Sequence, residues 1–154
     1  HCKTQRVEVN SSIVPDRKIK AVVQRFEDIV NGNLMTEMGA TGVDLDCRFT
    51  SIRNKETNIG NLIADIARLQ YDTDIALLNS GTLRADRILP AGILYLRDLK
   101  ALMPIKENLV VLQITGRQII EMLENGVSHY PHLEGRFPLV SGIKFTFDAD
   151  KPPY

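Results

Sequence analysis

An apolar run, Ile75-Ala76-Leu77-Leu78, follows the acidic residues Asp72 and Asp74 and stops at Asn79-Ser80-Gly81. Four apolar residues between turn formers are too few for a helix and predict a strand buried on both faces. Asn, Ser and Gly leave extended geometry readily and expose backbone donors. Arg84 comes next, with a planar guanidinium suited to two-point contact with a phosphate or carboxylate. In sheets of this type ligands gather at the carboxyl ends of strands. Two readings follow: an anion- or nucleotide-facing turn, or a strand, a turn and an arginine in a surface salt bridge.

The flanking sequence alternates between helical and strand patterns. Val7 and Val9 alternate with polar neighbours and predict a short strand or an extended connector. Pro15 and Asp16 favour a helix start, and Ile19, Val22, Val23, Phe26, Ile29 and Val30 repeat at helical spacing, with Asn31-Gly32 able to end the run. Gly39 to Gly42 predicts a break, and the alternation from Val43 to Phe49 a half-buried strand. Asn58 is expected to cap a helix burying Ile59, Leu62, Ile63 and Ile66. Within that helix, Gly60 marks either tight packing or close approach by backbone or ligand. Ile93 to Leu96 predicts a strand, Asp98 to Met103 a short helix stopped by Pro104, and Leu109 to Leu112 a further strand. Thr115 and Gln118 form a capping-box signature ahead of a helix through Met122 and Val127. Phe137 to Asp148 holds Val140, then Gly142, then Ile143, Phe145 and Phe147 alternating with Lys144 and Thr146, and predicts a last strand with one apolar face. The fold class is α+β: a mixed β-sheet with interleaved helices, preceded by a long connector helix.

Charge and composition narrow the function. With 154 residues, 44% hydrophobic, the chain can bury a real core. Lys+Arg and Asp+Glu balance at 19 each, which argues against nucleic-acid binding by a concentrated basic face. No stretch approaches the roughly 18 apolar residues of a membrane span. The chain begins at His1, so a processed chain or a fragment is expected. Cys2 and Cys47 lack paired metal-ligand spacing, and a bridge between them is possible but not expected. The three histidines include His129 and His132 around Tyr130-Pro131, which is incompatible with a helical zincin pair; a solvated loop is expected there. No Gly-x-Ser-x-Gly elbow, dinucleotide fingerprint or Walker loop occurs, so no self-sufficient catalytic centre is present. Binding remains, with Arg53, Asn79 and Arg84 in or beside loops next to core elements.

The ordered set Ile52-Arg53, Glu56-Thr57-Asn58-Ile59-Gly60-Asn61-Leu62-Ile63-Ala64-Asp65, then Asp74-Ile75-Ala76-Leu77-Leu78-Asn79-Ser80-Gly81-Thr82-Leu83-Arg84 closely resembles the C-terminal domain of the 5′-nucleotidase family. The resemblance continues through Leu102-Met103-Pro104, Ile114-Thr115-Gly116, Gly135-Arg136-Phe137 and Val140-Ser141-Gly142. It implies a connector strand and linker helix over 1–40, then the domain itself over 41–154, incomplete at its C-terminal end. It further implies the substrate-binding half of a metallophosphoesterase. A nucleotide or small phosphate ester would be the ligand, and a divalent metal pair would sit in a separate N-terminal metallophosphatase domain, with no cofactor in this chain. By motif position, Arg53 and Arg84 would hold phosphate oxygens, while Asn79 and the backbone at Gly81 would touch the nucleoside. Ile105 stands where the family has the phenylalanine that stacks on the base. Thr82 stands where a second glycine is commoner, and a threonine tolerates positive φ far less well. The family's closing segment, with its second stacking aromatic, lies past Tyr154. An extracellular or periplasmic location accords with the family. The alternative is a non-catalytic interaction module that keeps the fold without the ligand.

Overall fold

The computed structural model describes residues 3–152. By its contacts the chain divides into two compact units, His1–Thr36 and Glu37–Tyr154. The first holds an extended lead without strand pairing and helix α1, Arg17–Leu34. Asp16 caps α1 directly: its Oδ1 accepts the backbone N–H groups of Lys18 at 2.9 Å and Ile19 at 3.1 Å. The helix runs through Asn31-Gly32 to Leu34, beyond the stop that pair predicts.

The second unit contains β1 (Glu37–Thr41), β2 (Leu45–Asp46), α2 (Phe49–Ile52), α3 (Asn58–Gln70) and β3 (Ala76–Asn79). A 3-10 turn, Ser80–Thr82, leads to β4 (Ile88–Leu89), β5 (Gly92–Tyr95), α4 (Leu96–Leu102), α5 (Gly116–Val127) and β6 (Pro138–Ser141). The class is α+β. Among the described residues the strands form three two-stranded antiparallel ladders, β1–β5, β2–β4 and β3–β6.

The core gathers Leu45, Cys47, Ile52, Ile59, Leu83, Leu89, Leu102 and Leu139, so α2, α3, α4 and the turn after β3 share one apolar centre. Helix α3 lies on β3 and β6. A Cβ on Gly60 would stand 2.9 Å from Leu139 Cδ2, so this glycine serves close helix–strand packing, one of its two expected roles. Gly142 has φ of 78°, and a side chain there would run into the Asp74 carbonyl.

Several expectations are corrected. The break at Gly39 to Gly42 is instead largely strand β1, because Gly39, at φ 156°, is accommodated at an irregularity in pairing with β5. The strand of Val43 to Phe49 shrinks to two residues. Leu45 and Cys47 still point inward, but Phe49 opens α2 because its N–H is taken by Asp86 Oδ1 at 2.8 Å. Thr57, not Asn58, caps α3, its Oγ1 accepting from Gly60 N at 3.2 Å. Asn58 instead ties α3 to β2, accepting from Asp46 N at 3.1 Å and donating to the Asp44 carbonyl at 2.7 Å.

Strand β3 is half-buried rather than buried on both faces: Ala76, Leu77 and Leu78 are each partly exposed and Asn79 is exposed. Leu109 to Leu112 forms no strand: it pairs with no described residue, and all four side chains are exposed. The last predicted strand pairs only over Pro138–Ser141. Residues 143–147 nonetheless keep their alternation, with Ile143, Phe145 and Phe147 half-buried and Lys144 and Thr146 exposed.

Candidate functional site

Ser80 and Leu83, both fully buried, pin the turn after β3 to the core. Ser80 N–H donates to the Phe137 carbonyl at 2.9 Å, and Gly81 N–H to the Gly135 carbonyl at 2.8 Å. Gly81 and Gly135 pack backbone to backbone: a Cβ on Gly135 would lie 2.9 Å from Gly81 Cα. Gly81 is therefore fixed by packing, and its N–H is already engaged.

Thr82 meets none of the strain that a left-handed turn would impose on it. No positive φ occurs there, because a 3-10 turn uses ordinary right-handed geometry. The left-handed residue of this loop is Asp86, at φ 44°, whose carboxylate holds the start of α2.

The structure joins the elements that carry the predicted site residues. Asn79 is exposed at the end of β3, paired with Pro138 of β6. Arg84 N–H donates to the Leu102 carbonyl at 2.8 Å, which brings the end of α4 to the turn. Ile105 follows three residues later and is 55% exposed, so it offers open apolar surface. The Arg84 guanidinium is exposed and, among the described residues, no hydrogen bond or ion pair engages it; the surface salt bridge is not what it forms.

Arg53 ends α2 and is held quite differently. Its guanidinium carbon lies 3.8 Å from the centre of the Phe49 ring, and Nη1 donates to the Leu133 carbonyl at 3.1 Å. Its Nε is buried without a hydrogen-bond partner among the described residues. Leu133 is two residues from Gly135, so one loop contacts both Arg53 and Gly81.

That loop carries Glu134, a residue the sequence reading passed over. Glu134 Oε1 lies 2.8 Å from His129 Nδ1, and Oε2 lies 2.7 Å from Arg136 Nε. The His129 hydrogen bond, with Arg136 alongside, holds the Glu134 carboxyl below its ordinary range. His129 thus keeps an exposed ring, as expected, and also hydrogen-bonds Glu134. Acid, base and imidazole within a short stretch were visible in the sequence, but only the loop's fold shows which of them meet.

Among the described residues no three His, Cys, Asp or Glu side chains come together as a metal site. The donor set here does not fit a dinuclear centre. A cleft of about 470 Å³ lies beside Tyr130 and Phe147, and Asn79, Gly81, Arg84 and Ile105 do not line it. The turn itself is buried or half-buried, and Asn79 and Arg84 at its two ends are exposed.

Residues 32–154 match the family described as 5′-nucleotidase, C-terminal domain. The chain belongs to that family. It is 37% identical over 132 residues to the trifunctional nucleotide phosphoesterase protein YfkN of Bacillus subtilis (strain 168), covering 83% of this chain and 9% of that protein. It is 29% identical to a snake venom 5′-nucleotidase of Naja atra, over 94% of this chain and 30% of that one. The crystal structure of a 5′-nucleotidase precursor from Thermus thermophilus superposes with a TM-score of 0.79 at 31% identity, over 87% of this chain and 27% of that chain. The chain therefore spans less than a third of the length of these relatives.

Proposed function

We propose that this 5′-nucleotidase C-terminal domain binds the phosphate of a nucleotide or related small phosphate ester, for hydrolysis by a separate N-terminal metallophosphatase domain carrying a divalent metal pair. The observation that carries this reading is the Arg84 guanidinium, exposed and unengaged among the described residues, on a turn whose Ser80 and Leu83 are locked in the core. The fixed turn leaves only the arginine side chain, and not the backbone beneath it, to be ordered on meeting an anion. Arg53 supplies the second cation of the phosphate contact, and Asn79 the polar edge for the nucleoside. Ile105 gives the base apolar contact without aromatic stacking, which lowers affinity by about 1–3 kcal/mol per base relative to a stacked ring. Exposed residues at the two ends of the turn suit a ligand that must also face another domain. The names of the relatives, one a nucleotide phosphoesterase and one a venom 5′-nucleotidase, support the substrate class, and the venom source of the second supports an extracellular setting.

Calorimetric titration of AMP into this chain, and into the Arg84→Ala variant, tests the reading. A charge-assisted hydrogen bond contributes about 1.5–3 kcal/mol, so the variant should bind about ten- to a hundredfold more weakly. Equal affinity in both chains would remove Arg84 from the site. No AMP binding by the unaltered chain would instead favour a non-catalytic interaction module.

A further inference from the structure

We infer that Glu134 is a positioning residue for Arg53: it fixes the loop whose carbonyl sets the orientation of the phosphate-facing guanidinium. The inference rests on the proposed role of Arg53 only for its functional consequence; the mechanical part stands on geometry. Arg53 is gripped on its flat face by the Phe49 ring at 3.8 Å and at one edge by the Leu133 carbonyl at 3.1 Å. An arginine stem has several rotatable bonds, so the aim of its head depends on how still that carbonyl is.

Leu133 is exposed and brings no core anchor of its own. Its neighbour Glu134 supplies one. One carboxylate oxygen meets His129 at 2.8 Å and the other meets Arg136 at 2.7 Å, bracing the loop from both sides. Arg136 Nη1 also donates to Ser128 Oγ at 3.2 Å, and Ser128 Oγ donates to the Asn125 carbonyl at 2.8 Å, at the end of α5. Behind Glu134, Gly135 is locked against Gly81. A continuous set of polar contacts thus runs from the end of α5 through Glu134 to the loop that holds Arg53. A carboxylate can accept at both oxygens, one toward the His129 ring and one toward the Arg136 guanidinium; an amide has a single acceptor oxygen and cannot accept at both ends.

Glu134 touches no part of the proposed ligand surface formed by Asn79, Arg84 and Ile105, and acts through Arg53. Losing it frees the guanidinium without removing its charge. The test follows the Arg53 Nε–H resonance, assigned by its disappearance in Arg53→Lys, in ¹H–¹⁵N spectra of the whole chain. In Glu134→Gln this proton should exchange with solvent at least about tenfold faster, while amides of Ile52 and Leu83 keep their shifts. His129→Asn, which removes one brace, should move the exchange rate the same way by less, and it decides the matter if Glu134→Gln does not fold.

AMP affinity measured on the same samples should fall about three- to tenfold in Glu134→Gln. An Arg53 Nε–H exchange rate unchanged in the folded variant would overturn the inference, even if AMP affinity fell. If the unaltered chain binds no AMP, the substrate reading fails, and the exchange rates alone decide whether Glu134 positions Arg53.

Discussion

Cys47 sits at 0% exposure in the centre of the core, a free thiol; Cys2 lies outside the described residues. Burial, with the nearby Asp46 charge adding to it, pushes the thiol from an ordinary 9.0 up to about 11. Between those values the unfolded chain releases a proton that the folded chain retains. The folded state therefore loses stability as pH rises from about 9 to about 11, by about 1.4 kcal/mol per unit and about 3 kcal/mol in all. Urea unfolding of the native chain and of Cys47→Ala across that range measures it: the alkaline slope should flatten in the variant, whatever the variant's baseline stability. The same burial explains why the thiol should resist modification until the chain unfolds. Gly142 shows the complementary constraint at this scale, a position where the backbone leaves no room for any side chain.

At the scale of elements, the capping-box signal of α5 proved sharper than the strand signals. Thr115 and Gln118 form the capping box of α5: Thr115 Oγ1 accepts from Gln118 N at 3.4 Å, and Gln118 Oε1 accepts from Thr115 N at 2.8 Å. Thr115→Ala should lower stability by about 1 kcal/mol, read as a shift in urea midpoint with an unchanged slope. Caps are legible because they depend on residues three apart along the chain. Strands are less so. Leu109 to Leu112 has the composition of a strand and none of the pairing, because a strand is made by its neighbour. The reverse happens at residues 143–147, where inward and outward alternation persists beyond the end of the β6 ladder. Asn58 illustrates the middle case: a cap by residue type, it links α3 and β2 while Thr57 takes the helix end.

At the scale of the molecule, equal numbers of acidic and basic residues leave no net field to concentrate a polyanion. Under the proposed function, phosphate contact would come from a few placed guanidiniums, a local and saturable interaction. Fluorescence anisotropy with a labelled duplex DNA should show no association at about 150 mM salt, whereas a steep salt-dependent binding curve would reveal a basic face that the balance hides. In the second unit the turn after β3 is anchored by buried Ser80 and Leu83, while Asn79 and Arg84 at its two ends stay exposed.

Composition, apolar periodicity and end signals determined the α+β class, the long leading helix, the turn after β3 and the residues on it. All of these rest on contacts a few positions apart, or on motifs kept in order along the chain. The tertiary structure alone decided how that turn is held. Gly81 lies against Gly135, and Arg53 is braced by a loop 80 positions on. Such pairings carry no local periodicity, because their energy comes from burial and from hydrogen bonds that exist only once distant segments have met. The sequence marked Arg53 and Arg84 as a pair of equivalent cations. The structure makes them unlike, the first gripped by Phe49 and Leu133, the second presented outward on a fixed turn.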